Sequence, residues 1–203
     1  MPKKSIFKRT WHFLWHDNSI LSWVVNVILA FVIIKFLLYP GLGLVMGTDF
    51  PIVAVVSGSM EHSGGFESWW TNNANCELSV CTQGQYYSEH SISKQEFKDF
   101  PFHNGFNKGD IMVLIGDQPK DIKIGDILIF KSNRADPIIH RVVEEWYEDE
   151  YHFRTKGDNN QQSYDQILET DIEEDRIVGK AILRIPWLGW VKLAFIELIN
   201  LAR

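Results

Sequence analysis

Two serines in the segment Val56-Ser57-Gly58-Ser59-Met60-Glu61 are the best candidates for a nucleophile in this chain. A serine hydroxyl attacks poorly until a base removes its proton and hydrogen-bond donors stabilise the oxyanion that follows. The segment comes about twenty residues after a strongly apolar stretch, which places the serines close to a membrane surface. The rest of the chain must therefore supply a base and a group that orients that base.

The candidate base is His140, in the apolar run Pro137-Ile138-Ile139-His140-Arg141-Val142-Val143. A lone histidine in such a strand is more often a structural core residue. An acidic segment follows, however, with Thr155-Lys156-Gly157-Asp158-Asn159-Asn160 and then Asp165. A carboxylate from this segment can accept the Nδ1 hydrogen of the imidazole in a Ser-His-Asp arrangement. Arg141 stays protonated, and we expect it to pair structurally with a carboxylate.

The apolar stretch that precedes the serines runs from Ile20 to Tyr39 and has Lys35 as its single charge. At about 1.5 Å per residue, a helix of this length spans the roughly 30 Å hydrocarbon core of a bilayer. A cleavable signal peptide is the alternative, but its apolar part is shorter and ends at a small-x-small site. Tyr39-Pro40-Gly41-Leu42-Gly43 lacks a clear site of that kind, so we expect an uncleaved anchor over residues 19–46, linker included.

Charge is distributed unevenly along the 203 residues, whose formal net charge is −6. Residues 1–18 form a basic tail, in which Asp17 is the single acidic residue and the basic residues are Lys3, Lys4, Lys8 and Arg9. Basic flanks predict a cytoplasmic N-terminus, with the remaining chain outside. That remainder is acidic, which argues against binding of nucleic acid because a basic face would be expected there.

Beyond the anchor, residues 47–185 read mostly as strands and predict a small β-barrel or folded sheet. Two of the strands follow Gly-Asp turn signals, and Glu148-Asp149-Glu150 separates two others as a hairpin turn. The predicted strands are Ile52–Val56, Ile111–Ile115, Ile127–Phe130, Ile138–Trp146, Tyr151–Thr155 and Ile177–Ile185. Residues 186–203 predict a short amphipathic helix that lies at the membrane interface or packs on the core.

Residues 61–107 form an insertion rich in aromatic residues between the serines and the next strand. These rings either face the membrane or a substrate groove, or build a small satellite core. Cys76 and Cys81 lie on the outer side by the orientation argument, which favours a disulfide between them. Zinc is the rival because His90 and His103 follow, but this spacing fits no standard zinc finger. We therefore expect no metal and no cofactor.

Four blocks give the chain a resemblance to type I signal peptidases of the archaeal and endoplasmic-reticulum branch. They occur in the family's order: Ser57-Gly58-Ser59-Met60, Gly125-Asp126-Ile127-Leu128-Ile129-Phe130, Ile138-Ile139-His140-Arg141-Val142 and Thr155-Lys156-Gly157-Asp158-Asn159-Asn160. Each block is weak alone, and together they are specific. The resemblance covers roughly residues 15–192, apart from the insertion.

The resemblance implies roles for individual residues. Ser59 would be the nucleophile, Ser57 would contribute to the oxyanion hole, and His140 would be the base in place of the lysine of bacterial members. The family's functional aspartate falls six residues after the aspartate of Gly-Asp-Asn, where this chain has Tyr164. We therefore assign the orienting role to Asp165, one residue later, and keep Asp158 as a second important carboxylate.

The implied activity is the removal of N-terminal signal peptides from secretory preproteins after small residues, by a protein of the cell membrane or the endoplasmic-reticulum membrane. Met60 and the strand from Ile52 to Val56 would line shallow apolar substrate pockets, although both also suit the core. The implied partners are preprotein signal peptides, the lipid bilayer, and the Sec translocon or other subunits. Two alternatives remain: a catalytically silent membrane protein that binds preproteins, and a metal-binding ectodomain.

Overall fold

The computed structural model describes residues 6–77 and 79–201, which form two compact units that divide between Val45 and Met46. Lys3 and Lys4 of the predicted basic tail lie outside the described residues. Helix α1 covers Ile6–His16 in the first unit. A second helical stretch begins at Ile20, where the Ser19 hydroxyl caps the chain by accepting a hydrogen bond from the Ser22 N–H.

This second stretch is helical from Ile20 to Met46 and is long and apolar enough to cross a membrane. It comprises α2 (Ile20–Ile33), a π-helical turn (Ile34–Leu38) and α3 (Tyr39–Met46). The apolar spanning helix predicted from the sequence is therefore present, but it continues seven residues beyond Tyr39. Pro40 does not end it, and the π-helical turn Ile34–Leu38 immediately before Pro40 is the kind of local irregularity that accompanies an interior proline.

A six-stranded sheet dominates the second unit, as the mainly-β prediction required. Its strand order is β1-β4-β8-β5-β6-β7, and every pairing is antiparallel. The strands of this sheet are β1 (Ile52–Ala54), β4 (Ile111–Ile115), β5 (Ile127–Phe130), β6 (Ile138–Glu148), β7 (Glu150–Lys156) and β8 (Ile177–Ile185). The β6–β7 hairpin turns at Asp149, within the predicted acidic turn.

The centre of the sheet holds the main core. All four residues of β5 are buried, because β5 lies between β6 and β8 and is covered on both faces. One face packs with Met60, Phe106 and residues of β4, and the other packs with Val142 and Phe153. This continuous burial explains why β5 is apolar at every position, whereas β4 alternates between more and less buried residues.

The insertion, residues 61–107, folds into a small subdomain with its own core. It contains α4 (Phe66–Trp70), the two-stranded sheet β2 (Asn73–Asn75) and β3 (Val80–Thr82), α5 (Gln83–Glu89) and α6 (Lys94–Asp99). Thr82 and Ser93 begin α5 and α6 with capping boxes. The aromatic residues buried in this core are Phe66, Trp69, Tyr86, Tyr87 and Phe97. Of the two sequence interpretations, the satellite core is the one observed for these five rings.

Helix α7 (Trp190–Leu201) closes the described chain. It begins four residues later than the predicted segment, after the turn from Pro186 to Gly189. Leu193 is buried, while Val191 and Leu198 are exposed. Among the side chains that are described in α7, apolar residues thus occur both packed inward and on the outer surface.

Candidate active site

Ser59 and His140 meet directly, although 81 positions separate them in the chain. The Ser59 Oγ lies 3.0 Å from the His140 Nε2. Ser59 belongs to the turn after β1 and is half-buried, whereas His140 lies on β6 with 4% of its surface exposed. A nucleophile and a base within hydrogen-bond reach of each other form the basic unit of nucleophilic catalysis.

The catalytic loop, residues 157–160, holds the backbone around Ser59. The Asn159 N–H donates to the Ser59 carbonyl at 2.7 Å, and the Asn159 Nδ2 donates to the Gly58 carbonyl at 3.1 Å. The Asp158 N–H points at the Met60 sulfur at 3.3 Å. Three consecutive residues of the serine turn are thus tied to one loop, which fixes the position of the Ser59 hydroxyl.

Ser57 lies beside the candidate nucleophile, with its Oγ 3.2 Å from the Ser59 Oγ. Its side chain is exposed, whereas Ser59 is half-buried. A hydroxyl in this position is close enough to donate to an oxygen that develops negative charge beside Ser59. The geometry is compatible with the predicted contribution to an oxyanion hole.

Glu169, which the sequence interpretation did not single out, supplies the carboxylate against His140. Its Oε2 accepts from the His140 Nδ1 at 2.5 Å and from the Thr155 hydroxyl at 3.2 Å, and its Oε1 accepts from the Tyr164 N–H at 2.9 Å. Because a carboxylate only accepts, this contact places the imidazole hydrogen on Nδ1 and leaves Nε2 free to accept from Ser59. Glu169 is fully buried, so these three donors replace its lost hydration.

The assignment of Asp165 as the orienting residue does not agree with this geometry. Asp165 is exposed, and its Oδ1 accepts from the Thr170 hydroxyl at 2.5 Å. The chain enters a short 3₁₀ helix at Asp165 and then turns at Leu168 through a left-handed conformation with φ of 56°. This turn carries Glu169, four residues later, inward to the position that had been predicted for Asp165.

Asp158 is brought near the serine turn, but its carboxylate binds Arg141, Tyr87 and His62. It forms a bidentate pair with Arg141, at 2.9 Å from Nε and 2.8 Å from Nη2. Tyr87 donates its hydroxyl to Oδ1, and His62 donates Nε2 to Oδ2, both at 2.9 Å. The expected structural partner of Arg141 is therefore Asp158, and the role of this carboxylate is to anchor the loop.

The ion pair of Asp158 and Arg141 lies entirely inside the protein. Burial alone would raise the pKa of Asp158, but the charge of Arg141 and the hydrogen bonds from His62 and Arg141 outweigh it and hold the pKa well below its usual range. Asp158 is consequently charged at neutral pH and a weak base, and both of its oxygens are engaged by Arg141, Tyr87 and His62. A buried charge of this kind depends on all of its partners.

Met60 belongs to the core and not to an open pocket. It is completely buried among Val55, Phe106 and Met112. The prediction that Met60 lines a substrate pocket therefore does not fit this structure, since no part of its surface is available to a ligand. Its sulfur instead receives the Asp158 N–H, so Met60 helps to seat the catalytic loop.

Cys76 and Cys81 are joined by a disulfide that connects the residue after β2 to the middle of β3. This bond removes both thiolates as metal ligands. His90, one of the two histidines considered with them, has its Nδ1 2.9 Å from the Tyr86 carbonyl. Within residues 6–77 and 79–201, no group of three or more His, Cys, Asp or Glu side chains is arranged to hold a metal ion.

Gly157 gives a sharp test of the geometry around His140. A Cβ at this position would lie 2.8 Å from the His140 Nε2 and 2.6 Å from the Asn160 Nδ2. We expect Gly157→Ala to displace the imidazole and to lower the rate of any reaction of Ser59 by about 10²-fold, because misplacement of about 1 Å has that cost. The measurement is the labelling rate of Ser59 by a serine-directed phosphonate. Gly41→Ala, where an added Cβ would meet no atom within 4 Å beyond the neighbouring residues of its own helix, is the control and should label normally.

Comparison with known proteins gives a consistent set of relatives, although no protein-family model matches the chain. The chain is similar to the "Signal peptidase complex catalytic subunit SEC11C" of Homo sapiens, with 26% identity over 163 residues, 77% of this chain and 63% of that protein. It is similar to the "Signal peptidase complex catalytic subunit SEC11" of Colletotrichum graminicola, with 26% identity over 80% of this chain and 73% of that protein. The "Signal peptidase complex catalytic subunit SEC11" of Scheffersomyces stipitis is also 26% identical, over 80% of this chain and 75% of that protein. The match thus spans just under two thirds of the length of SEC11C.

Proposed function

Because the chain is a homologue of the catalytic subunits of signal peptidase complexes, as its four sequence blocks indicated, we propose that it is a membrane-anchored serine endopeptidase that removes signal peptides from secretory preproteins. The observation that carries this proposal is the continuous hydrogen-bonded chain from Ser59 through His140 to Glu169. Nucleophile, base and orienting carboxylate stand in the order that acyl transfer requires.

In the proposed reaction, the Ser59 Oγ attacks the scissile carbonyl while the His140 Nε2 takes its proton. Glu169 holds the imidazole through Nδ1 and stabilises the imidazolium that forms. The Ser57 hydroxyl and the Ser59 N–H donate to the oxyanion of the tetrahedral intermediate. His140 then returns the proton to the leaving amine. Water next attacks the acyl-enzyme while His140 takes its proton, and that proton passes to the Ser59 Oγ as the carboxylic acid product leaves.

A histidine base suits a site that is only partly shielded from water. The pKa of a lysine is ordinarily about 10.4. It must fall by roughly three units for the amine to accept a proton near pH 7, and this shift costs about 4 kcal/mol. A histidine side chain changes charge between pH 5 and 8 without such a cost. Ser59 is half-buried and Ser57 is exposed, so the site has the access to water that hydrolysis of the acyl-enzyme needs.

The location proposed for this enzyme is a cell membrane or the endoplasmic-reticulum membrane. The helix Ile20–Met46 would be a single-pass anchor, and the basic residues before it would keep the N-terminus cytoplasmic. A signal peptide spans the same bilayer, so its cleavage site would emerge on the side of the catalytic unit. Other subunits are proposed as partners because the relatives are named as subunits of a complex; a Sec translocon is a further proposed partner.

The two alternative functions fit less well. A catalytically silent binder has no need for a serine, a histidine and a carboxylate in hydrogen-bonded sequence. A metal-binding ectodomain built on the insertion would need the thiolates of Cys76 and Cys81, which are used in the disulfide. The peptidase is therefore the function that these contacts support best.

The proposed activity is tested with the full-length protein in liposomes and a secretory preprotein that has alanine at the first and third positions before the cut. We expect one product whose new N-terminus, determined by mass spectrometry, follows the alanine. A matched preprotein with phenylalanine at the first position should be cleaved at least about 10²-fold more slowly, because a shallow pocket excludes the larger side chain. Cleavage of both preproteins at equal rates would contradict the proposed specificity.

A further inference from the structure

The insertion contacts the catalytic loop through buried polar groups, in addition to its own aromatic core. Trp69 donates its indole N–H to the Asp158 carbonyl, and Tyr87 donates its hydroxyl to the Asp158 carboxylate, both at 2.9 Å. The Asn75 N–H donates to the Gln161 carbonyl at 2.9 Å, just beyond the loop. Three separate elements of the insertion, α4, α5 and β2, thus donate hydrogen bonds to residues 158–161.

Gln83 makes the most complete of these connections. It is the first residue of α5 and is 1% exposed. Its Oε1 accepts from the Lys156 ammonium at 2.6 Å, while its Nε2 donates to the Asn160 carbonyl at 3.0 Å and to the Asn73 carbonyl at 3.2 Å. One amide therefore binds the residues at both ends of the segment 156–160.

Lys156 is a buried charged group that the proposed proton transfers do not use. Its amine also donates to the carbonyls of Gly157 at 3.1 Å and Asp158 at 3.2 Å, and it lies over the rings of Tyr86 and Tyr87. Burial lowers the pKa of Lys156 to about 7, against the attraction of Asp158 and Glu169. Three oxygen acceptors match the three N–H groups of the protonated side chain, so the loop is folded around this amine.

We propose that the insertion is a clamp that sets the position of the nucleophile, and that Gln83 is its positioning residue, acting through Lys156 and the catalytic loop. The path is short. Gln83 fixes Lys156 and Asn160, these fix the loop between them, and Asn159 holds the Ser59 carbonyl at 2.7 Å. Functional groups depend on such supporting contacts because an error of about 1 Å is costly. The expected effect on catalysis rests on the proposed peptidase function, whereas the effect of Gln83 on the position of the loop does not.

A double-mutant cycle tests the clamp in the full-length protein in liposomes. Gln83→Leu keeps the approximate volume but removes the acceptor and the donors, and Lys156→Met removes the ammonium ion. We expect each single variant to lower kcat for the preprotein about tenfold, with KM nearly unchanged. Because the two residues contact each other and hold the same segment 156–160, the double variant should lose clearly less than the 100-fold product of two independent losses. A loss of about 100-fold in the double variant would mean that they act independently and would overturn the proposal.

Hydrogen exchange without substrate gives a second readout, independent of catalysis. In Gln83→Leu, we expect the amides of Asn159 and Asn160 to exchange about tenfold faster, since their bonds to the Ser59 and Gly157 carbonyls open more often. Gln83→Glu keeps an acceptor for Lys156 and should give a smaller increase, which covers the case that Gln83→Leu does not fold. Unchanged exchange in both variants would overturn the clamp. The expected exchange in a protein without peptidase activity would support the clamp and refute the proposed function.

Gln85→Ala is the matched control on the same helix. Gln85 accepts from the Thr82 N–H at 2.8 Å in the capping box of α5 and is exposed. Its removal weakens the cap at Thr82 but leaves the side-chain contacts of Gln83 with Lys156 and Asn160 in place. We expect faster exchange over residues 83–89 and normal exchange at Asn159 and Asn160. Equal acceleration at the loop would show that general loosening of the insertion, and not the Gln83 contact, controls the loop.

Discussion

Ser59→Ala is expected to lower kcat for preprotein cleavage by about 10⁶-fold, and His140→Ala by a similar factor. Removal of either member of a serine–histidine pair costs this much because neither can act without the other. The 3.0 Å contact between the Ser59 Oγ and the His140 Nε2 makes the same interdependence the expectation for this chain. The measurement is single-turnover cleavage of a preprotein in liposomes, so that product release does not mask the chemical step.

The double variant of Ser59 and His140 should be no slower than either single variant. Ser57→Ala provides an intermediate case, since loss of one oxyanion donor typically costs about 10²- to 10³-fold. Ser63→Ala, at an exposed serine four residues after Ser59, is the matched control and should cleave at the normal rate. If Ser59→Ala protein purified by the same route cleaved at the wild-type rate, the serine mechanism would be wrong.

Much of the sheet was accessible from the sequence because its signals are local. Gly109-Asp110 and Gly125-Asp126 precede β4 and β5, and the bounds of both strands match the predicted runs. Gly109 and Gly125 have φ of 90° and 93°, in the left-handed region that favours glycine. A turn signal followed by an apolar run was therefore sufficient at these positions.

Glu169 could not be found in this way because its position depends on contacts across the chain. Residues 157–176 contain seven carboxylates, and spacing alone does not rank them. The segment returns along β7, where the Thr155 N–H donates to the Glu169 carbonyl at 2.9 Å and Phe153 pairs with Ile172. That register selects which carboxylate faces His140. A left-handed Leu168 immediately before Glu169 gives no signal in the sequence, since leucine rarely adopts this conformation.

The insertion shows the same limit. Its aromatic content indicated either a satellite core or an exposed surface, and composition alone did not choose between them. Gln83 gave no signal at all, because a glutamine at the start of a helix is ordinarily exposed. Its burial follows from the contact with Lys156, 73 positions away. Long-range polar contacts of this kind position the proposed nucleophile, and local patterns do not reveal them.

Glu169→Gln is expected to lower kcat by about 10³- to 10⁴-fold with little change in KM. The amide keeps the size of the side chain but loses the charge that stabilises an imidazolium and selects the Nδ1-protonated tautomer; an equivalent change in serine proteases costs about 10⁴-fold. Asp165→Asn, one short turn earlier, should cleave within about threefold of the wild-type rate because the exposed Asp165 contacts Thr170 and not His140. Both variants are measured by single-turnover cleavage. Full activity of Glu169→Gln with loss in Asp165→Asn would return the orienting role to Asp165.

Asp158→Asn separates a structural carboxylate from the orienting one. This change leaves Arg141 buried beside a neutral amide, and breaking a buried pair typically costs about 3 to 5 kcal/mol. We expect a lower thermal midpoint of unfolding in detergent for Asp158→Asn, whereas Glu169→Gln should change that midpoint less than it changes the rate. The two carboxylates thus differ in which quantity falls first, stability for Asp158 and the chemical step for Glu169. This contrast follows from their partners, because Asp158 binds the buried Arg141 and Glu169 binds His140 beside the proposed nucleophile.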